Sequence, residues 1–447
     1  MTQARSPTRI GADVPAEEHQ VVPRKVLRRA IAASALGNAT EWFDYGIYAY
    51  GVSYISQALF PGKAADATLF ALATFAISFL VRPLGGLFWG PLGDRYGRKS
   101  VLAFTILIMA GATVGVGLIP SYRAIGMWAP ATLVVLRMVQ GFSTGGEYGG
   151  AATFMAEYSP DRERGRYGSF LEFGTLSGFS LGALLMLGFS LLLGDAEMHA
   201  WGWRIPFFLA APMGLVGMYL RSRMDETPIF REAEAAYERQ AAAPNQLRHL
   251  FVRHWRSLLT MSGLVIALNV VNYTLLSYMP TYLERRLGLS TDAALLVPLV
   301  GMLFMLLFVP FAGALSDRVG RKPMWWFSLI GLAIGVIPLY LLMATGFAGA
   351  IAGFALLGLL YVPQLATISA TFPAMFPTQV RFAGFAISYN LATSLFGGTA
   401  PVFNSWLIGR TGDELMPAYV MIAACLVGMV ALRWTPETAG RSLRGAL

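Results

Sequence analysis

GPLGDRYGRK at residues 90–99 and GALSDRVGRK at residues 313–322 are two copies of one motif in this 447-residue chain. They lie 223 residues apart, which is half the length of the chain. A repeat at that distance indicates two halves of similar architecture. Each copy is basic and follows an apolar run, so each predicts a short loop after the second membrane helix of its half.

The composition is typical of a membrane protein. Hydrophobic residues make up 55% of the chain and charged residues only 13%, whereas soluble domains carry about 25% charged residues. This balance excludes a disordered chain and a soluble enzyme of several domains. A membrane-spanning helix needs about 20 mainly apolar residues, and the sequence contains twelve apolar runs, interrupted by a single long polar segment.

We therefore predict an all-α membrane protein with twelve transmembrane helices in two pseudo-symmetric six-helix halves. The polar segment carries seven arginines and is expected to link the two halves. The predicted segments are an N-terminal tail (1–29), a first half (30–220), a linker (221–256), a second half (257–433) and a C-terminal tail (434–447).

The basic residues predict the orientation of the chain in the membrane. If the N-terminus is cytoplasmic, 26 of the 34 lysines and arginines fall in cytoplasmic segments and six in outer loops. Since positively charged loops stay on the cytoplasmic side, this bias predicts that both termini are cytoplasmic. The same loops account for the net charge of +9, so we expect no nucleic-acid partner. The first 20 residues are polar and contain no signal peptide.

The sequence does not favour metal, cofactor or nucleotide chemistry. The single cysteine, Cys425, lies in an apolar run, and the four histidines all lie outside the apolar runs. No disulfide within the chain and no cysteine-based metal site can therefore form. The loop at 93–100 differs from a phosphate-binding loop because its glycine–lysine spacing is wrong and it follows a membrane helix. We expect no metal, no cofactor, no nucleotide partner and no enzymatic activity.

The repeated loops, together with RMVQG at 137–141, resemble the major facilitator superfamily. Within it, GNATEWFDYGIYAY (37–50) and WGWRIPFF (201–208) resemble the metabolite:proton symporter family. FPAMFPTQVRFAGFAISYN (372–390) is similar to the branch of that family that takes up proline and glycine betaine. The resemblance implies a secondary transporter of the bacterial inner membrane that moves a small zwitterion together with protons by alternating access.

Two other functions remain open at this point. One is a proton symporter for an anionic metabolite of the 2-oxoglutarate, citrate or shikimate type. Such a substrate would favour additional cationic groups, and the predicted spans of the second half contain none. The other is a transporter-like membrane sensor, which would bind its ligand without moving it across the bilayer.

Ionisable residues inside the bilayer are costly, so they are candidates for proton coupling. Such residues occur only in the first half, and we predict that proton coupling involves five of them: Asp44, Glu41, Arg137, Glu147 and Glu172. We expect Arg137 to pair with the two first-span carboxylates, which are three residues apart and share a helix face. A purely structural ion pair is the alternative. The two inner-side glutamates either form the exit path of the proton or brace the inner gate, and the sixth group, Arg82, is expected to pair with one of them.

A zwitterion such as betaine has a carboxylate and a cationic nitrogen, and aromatic faces bind such a cation well. The carboxylate is expected to meet Arg137 or the amides of one polar face of the seventh span. The candidate substrate-binding residues are Trp42, Tyr45, Tyr48, Asn269, Asn272, Tyr273 and Tyr389.

The two repeated loops also predict a gate. Asp94 and Asp317 can accept hydrogen bonds from the N-terminal amides of a helix in the opposite half, where the helix dipole favours negative charge. Repeat symmetry predicts that Asp94 lies near Arg381 and Asp317 near Arg166. The full set of candidate gating residues is Asp94, Arg95, Arg98, Asp317, Arg318, Arg321, Arg166 and Arg381.

Overall fold

The computed structural model describes residues 24–96, 98–145, 147–222, 246–377 and 380–443. Within these ranges the chain is helical, with short turns and no strand. Most of the predicted N-terminal tail, the greater part of the predicted linker and the last four residues lie outside the described residues.

The helices form twelve consecutive spans, in the order expected from the apolar runs. The first six are Arg24–Tyr50 with Val52–Leu59 (span 1), Ala64–Tyr96 (span 2), Arg98–Leu118 (span 3), Trp128–Thr144 with Glu147–Tyr158 (span 4), Arg164–Leu193 (span 5), and Ile205–Phe208 with Ala210–Ser222 (span 6).

The last six spans are Trp255–Tyr273 with Thr274–Tyr278 and Met279–Arg285 (span 7), Thr291–Val319 (span 8), Arg321–Met343 (span 9), Phe347–Leu365 with Ile368–Thr371 (span 10), Arg381–Ala392 with Thr393–Gly397 and Ala400–Thr411 (span 11), and Met416–Trp434 (span 12). Among the described residues, seven helical segments are long and apolar enough to cross a membrane, and they lie in spans 2, 5, 7, 8, 9, 10 and 12. The other five spans are shorter, divided into two helices or more polar.

Glycines allow the helices of the first six spans to approach closely. A Cβ atom at Gly174 would lie 2.2 Å from the carbonyl oxygen of Ala35, and one at Gly178 would lie 2.4 Å from that of Ala39. The glycine stripe of span 5 is therefore a packing surface for span 1, as small residues at membrane helix interfaces usually are. This contact fixes the helix that carries the first-span carboxylates.

Spans 7 and 11 each contain one π-helical turn, Thr274–Tyr278 and Thr393–Gly397. Such turns shift the register of a helix and are frequent at functional sites. The two spans meet where Asn269 Nδ2 donates a hydrogen bond to Thr393 Oγ1 at 2.7 Å. A Cβ atom at Gly397 would lie 2.8 Å from the Tyr273 ring, so the absence of a side chain there lets that ring reach the middle of the bundle.

The first six and last six spans are joined at both ends of the bundle. At the end that carries the repeated loops, called the motif end below, the two carboxylate oxygens of Asp317 accept hydrogen bonds from the backbone amides of Gly165 and Arg166, each at 2.8 Å. At the opposite end, Ser190 Oγ donates to Asp292 Oδ1 at 2.6 Å. The structure is therefore closed by polar contacts on both sides of its centre.

Candidate functional site

The first charged pair joins spans 1 and 4. Arg137 is fully buried, and its Nη1 atom lies 3.7 Å from Oδ2 of Asp44. Gln140 bridges the pair, since it accepts from Arg137 Nη1 at 2.9 Å and donates from Nε2 to Asp44 Oδ1 at 3.0 Å. The Thr113 hydroxyl donates to the same carboxylate oxygen, and Arg137 Nη2 donates to Ser78 Oγ at 3.3 Å. The expected contact between Arg137 and a first-span carboxylate is confirmed for Asp44.

Tyr48 belongs to this charged pair. The Arg137 guanidinium lies over the Tyr48 ring at 4.2 Å from its centroid, a cation–π arrangement. The Tyr48 hydroxyl donates to the carbonyl oxygen of Ala71 at 2.9 Å. Its ring therefore already holds a cation from its own set of six spans.

The second charged pair joins spans 1 and 2. Arg82 hydrogen-bonds Glu41, and its Nε atom donates to Thr144 Oγ1 at 3.1 Å. Among the described residues the carboxylate partner of Arg82 is therefore Glu41 and not the inner-side Glu172, while the side chain of Glu147 lies outside them. Glu41 and Asp44 do share a face of span 1, but their offset along the helix directs them to different neighbours. Each carboxylate consequently has its own arginine.

Glu172 on span 5 is also buried, at 2% exposure. The Tyr148 hydroxyl donates to its Oε1 atom. One turn further along span 5, Asn38 Nδ2 donates to Thr175 Oγ1 at 2.7 Å, and Trp42 Nε1 donates to Asn38 Oδ1 at 3.1 Å. The helix Glu147–Tyr158 starts beside this group, but the side chain of Glu147 lies outside the described part of the chain.

Aromatic rings occupy the middle of the bundle between the first six and last six spans. Trp42 and Tyr273 lie 6.1 Å apart between ring centroids, Phe79 and Tyr273 lie 5.0 Å apart, and Tyr148 stacks on Tyr389 at 4.5 Å with an interplanar angle of 17°. We call this group the aromatic cluster; it consists of Trp42, Tyr45, Phe79, Tyr148, Tyr273 and Tyr389.

The polar groups of the last six spans are only partly satisfied near this cluster. Asn269 is bonded to span 11 as described above, and Asn272 Oδ1 accepts from the Tyr361 hydroxyl at 2.9 Å. In contrast, the buried hydroxyl of Tyr273 and both polar side-chain atoms of Gln364 have no hydrogen-bond partner among the described residues. A buried polar group without a partner costs free energy, so these atoms are suited to bind a polar ligand.

Only some of the predicted gating residues make side-chain contacts among the described residues. Asp317 contacts the start of span 5 as expected from the repeat, and Arg321 Nη2 donates to its Oδ1 atom at 2.5 Å. Arg381 Nη1 lies 3.4 Å from Oε1 of Glu157, a second contact between the two sets of six spans, whereas Arg318 is exposed. The side chains of Asp94, Arg95 and Arg98 lie outside the described residues.

A segment after span 12, residues 435–443, covers the motif end. Glu437 accepts hydrogen bonds from the backbone amides of Arg321 and Lys322, both at 3.0 Å. Burial raises the pKa of Glu437, but backbone amide donors at Arg321, Ala439, Lys322 and Thr438 outweigh it and hold that pKa below its ordinary value. Further along, Arg381 Nη2 donates to the Leu443 carbonyl oxygen at 2.7 Å. The sequence contained no signal for this anchoring, since Glu437 lies in a short polar end segment.

The family model described as Major Facilitator Superfamily matches residues 34–398 and 300–446. The chain belongs to the Major Facilitator Superfamily. It is 44% identical over 428 residues to the proline/betaine transporter of Escherichia coli (strain K12), covering 94% of this chain and 85% of that protein. The same identity and coverage apply to the glycine betaine/proline/ectoine/pipecolic acid transporter OusA of Dickeya dadantii (strain 3937).

A solved structure of this superfamily supports the same fold. The proton:xylose symporter XylE bound to 6-bromo-6-deoxy-D-glucose aligns with a TM-score of 0.74, at 20% identity, over 95% of this chain and 98% of that one. The predicted twelve-helix architecture is confirmed, and the chain is a multi-pass membrane transporter and not an enzyme.

Three residues of the central site were not predicted from the sequence, namely Phe79, Gln364 and Tyr148. Phe79 lies in an apolar run that resembles any lipid-facing helix, and Gln364 is an isolated amide beside Pro363. Tyr148 directly follows Glu147, a residue that was singled out, so a search around each buried charge would have found it. Among the residues that the structure describes, no group of three or more His, Cys, Asp or Glu side chains could hold a metal ion.

Proposed function

We propose that this protein takes up proline, glycine betaine and related zwitterions together with protons, by alternating access. The observation that carries the proposal is the aromatic cluster enclosed between the two sets of six spans, in direct contact with a buried arginine. Arg82 lies 5.4 Å from the Tyr45 ring centroid and 5.3 Å from that of Phe79. The names of the two relatives, which cover 94% of this chain, support the same substrate class.

The site matches both charges of a zwitterion. Aromatic faces attract a quaternary or secondary ammonium group, and Trp42, Tyr45, Tyr273 and Tyr389 supply those faces. The substrate carboxylate is held by the unpartnered Tyr273 hydroxyl and the neighbouring amide of Asn269. Tyr48 contributes indirectly, because its ring holds the Arg137 guanidinium. The side chain of Asn272 is oriented by the hydrogen bond that it accepts from Tyr361.

Proton coupling belongs to the first six spans. A substrate carboxylate that attracts Arg82 or Arg137 weakens the hold of that arginine on Glu41 or Asp44. A buried carboxylate that loses its cation takes up a proton, since an uncompensated charge in a low-dielectric interior is costly. Substrate and proton therefore bind together. We assign Glu172 and Glu147 to the continuation of the proton path toward the motif end.

Alternating access follows from the contacts at the two ends of the bundle. Residues 30–220 and 257–433 form two halves that move relative to each other around the aromatic cluster, joined by the linker at 221–256. Opening the motif end breaks the contacts of Asp317, and by repeat symmetry those of Asp94. The transporter lies in the bacterial inner membrane with the motif end and both termini cytoplasmic, in keeping with the basic loops, and its partners are lipid, substrate and protons only.

An anionic metabolite fits this site less well. A di- or tricarboxylate needs several cations, and the last six spans add only neutral polar and aromatic groups to the described central site. A membrane sensor without transport predicts ligand binding with no flux.

The deciding experiment is uptake into proteoliposomes with an imposed proton gradient. Labelled proline and labelled betaine should accumulate and compete with each other, while 2-oxoglutarate and shikimate should not compete. A protonophore should abolish accumulation but leave exchange of internal for external substrate. Competition by 2-oxoglutarate would contradict the zwitterion assignment, and binding without accumulation would contradict transport.

A further inference from the structure

Glu172 differs from the other two described buried carboxylates in its partners. Glu41 and Asp44 each face an arginine, whereas hydroxyl groups are the hydrogen-bond donors around Glu172, namely those of Tyr148 and Thr175. A carboxylate buried without a cation keeps the full cost of its desolvated charge. A proton bound at Glu172 removes that cost.

Tyr148 connects Glu172 to the opposite half. Its hydroxyl donates to the glutamate on span 5, while its ring stacks on Tyr389 of span 11 at 4.5 Å. A second contact joins spans 4 and 11 nearby, since the carbonyl oxygen of Gly145 accepts a hydrogen bond from Asn390 Nδ2 at 3.0 Å. One side chain thus contacts a proton-binding group at one end and the interface between the halves at the other.

The position of this link along the bundle is toward the motif end. Glu172 lies eight residues after Arg164, the first residue of span 5, which corresponds to about 12 Å at the helical rise of 1.5 Å per residue. Contacts broken here open the path from the aromatic cluster to the motif end, and not to the opposite side.

Few other groups can influence the charge of Glu172. Tyr361 on span 10 and Tyr389 on span 11 lie within electrostatic range of it, and both are neutral hydroxyls. Asn38 of span 1 donates to the backbone of Leu171 at 2.8 Å and to Thr175, so it is a neighbour without charge. The titratable side chain of Glu147 lies outside the described residues.

We propose that Tyr148 is a positioning residue that transmits the protonation state of Glu172 to the interface between spans 4 and 11. With Glu172 ionised, the carboxylate fixes the Tyr148 hydroxyl and holds the ring parallel to Tyr389, which keeps the motif end closed. With a proton on Glu172, the charge-assisted hydrogen bond is lost, Tyr148 rotates and the motif end opens. This inference rests on the proposed function, since it assigns the step at which a bound proton favours the inward-facing state.

The test uses accessibility at the motif end and needs no substrate. Ser369 lies in the helix Ile368–Thr371 against the start of span 5, since a Cβ atom at Gly168 would lie 3.2 Å from its own Cβ atom, and it is 1% exposed. Ser369→Cys, in a chain whose native Cys425 is replaced by alanine, therefore places a thiol at a position that is buried in the closed structure. Its rate of reaction with a membrane-impermeant maleimide applied from the motif side reports opening. Because maleimide reacts with the thiolate, whose fraction falls with pH, the rate at each pH is divided by that of a small free thiol. In this background we expect the normalised rate to rise about tenfold from mildly alkaline to mildly acidic pH, the effect of losing one hydrogen bond to a charged group.

Two variants and one control separate the mechanism from a structural defect. Tyr148→Phe keeps the ring and removes the hydroxyl, and Glu172→Gln removes the charge; each should leave a normalised labelling rate that no longer depends on pH. The double variant should behave like either single one, because both act on one interaction. Tyr361→Phe is the matched control: its hydroxyl bonds Asn272 and not Glu172, so its pH profile should equal that of the unmodified background.

A wild-type pH profile in Tyr148→Phe, or additive effects in the double variant, would overturn the proposal. Failure of proline and betaine uptake in the unmodified protein would overturn the proposed function instead, because labelling is measured without substrate. If Tyr389→Leu also removes the pH dependence while Tyr361→Phe retains it, the route through the stacked rings is supported; a normal profile in Tyr389→Leu contradicts that route.

Discussion

Replacing Asp317 by asparagine should shift the transporter toward the inward-open state. In the closed structure its two carboxylate oxygens accept from the amides of Gly165 and Arg166, each at 2.8 Å. Span 5 begins there, so the carboxylate also faces the positive end of a helix dipole. Spans 5 and 8 are tightly packed at this point, since a Cβ atom at Gly165 would lie 2.5 Å from the Gly313 carbonyl oxygen.

The magnitude follows from counting donors. Asparagine offers one carbonyl oxygen, so one amide keeps a neutral hydrogen bond and the other loses its acceptor. A hydrogen bond to a charged group contributes about 1.5–3 kcal/mol and a neutral one about 0.5–1.5 kcal/mol. Two charged hydrogen bonds, about 4.5 kcal/mol together, are replaced by one neutral bond of about 1 kcal/mol. The closed state should therefore lose about 3.5 kcal/mol, which is a change of about 400-fold in the ratio of closed to inward-open protein.

The assay is maleimide labelling of Ser369→Cys from the motif side, which Asp317→Asn should accelerate. Asp292→Asn is the matched control at the other end of span 8, where the carboxylate accepts from Ser190 at 2.6 Å. It should favour outward opening and slow the same labelling. Because Arg321 also loses its carboxylate partner, the melting temperature of each variant is measured in parallel. Equal labelling rates in Asp317→Asn and the parent protein would refute the reasoning.

Three further predictions concern the site and the segment 435–443. Asp44→Asn should fold, because Thr113 and Gln140 still have an acceptor, but should lose proton-driven accumulation while retaining substrate exchange; accumulation at the parent level would exclude a coupling role. Tyr273→Leu should weaken betaine binding by about 0.5–2 kcal/mol, the value of a cation–π contact, and proline binding less; competition assays measure both, with Tyr273→Phe to separate ring from hydroxyl. Glu437→Gln should increase hydrogen exchange in residues 435–443. Since the pKa of Glu437 lies below the ordinary value of 4.5, protection in the parent protein should be complete above that pH and disappear as the pH falls through the lowered value; unchanged protection at low pH would contradict the assigned anchor.

The sequence predicted the fold well because membrane spans leave strong local signals. Apolar length, basic loops and the repeat of the loop motif each reflect a constraint of the bilayer or of duplication. It also predicted the contact of Asp317 with the start of span 5, since repeat symmetry indicates which helix of the opposite half each loop contacts. It did not indicate the pairing of Arg82 with Glu41, which depends on the rotation of span 2 against spans 1 and 4. Close backbone approach sets that rotation, as at Gly141, where a Cβ atom would lie 1.7 Å from the Ser78 carbonyl oxygen.

The aromatic cluster was harder to predict for a related reason. Trp42, Tyr45, Tyr273 and Tyr389 stood out because a polar or charged neighbour marked their helix face. Phe79 carries no such mark, and it reaches the centre only because spans 2 and 11 meet, where Ser394 Oγ donates to the Phe79 carbonyl oxygen at 2.6 Å. Which apolar residues line a site is decided by contacts between halves, and a single sequence does not encode those contacts locally.

The uneven distribution of charge has a mechanical consequence. The two arginine–carboxylate pairs near the aromatic cluster, Arg82 with Glu41 and Arg137 with Asp44, lie within the first six spans, so they move with that half and are not broken by its rotation. The pair of Arg381 and Glu157 joins the halves at the motif end. The groups that join the halves at the centre are instead neutral: the ring pair of Tyr148 and Tyr389, and the hydrogen bond from Asn390 to Gly145. Neutral contacts are weak enough to be exchanged in each transport cycle, whereas a buried ion pair across the centre of the interface would cost several kcal/mol to separate. A residue that contacts both a buried carboxylate of the first half and a neutral group of the second half can couple a proton to the cycle, and Tyr148 has that position because it bonds Glu172 and stacks on Tyr389.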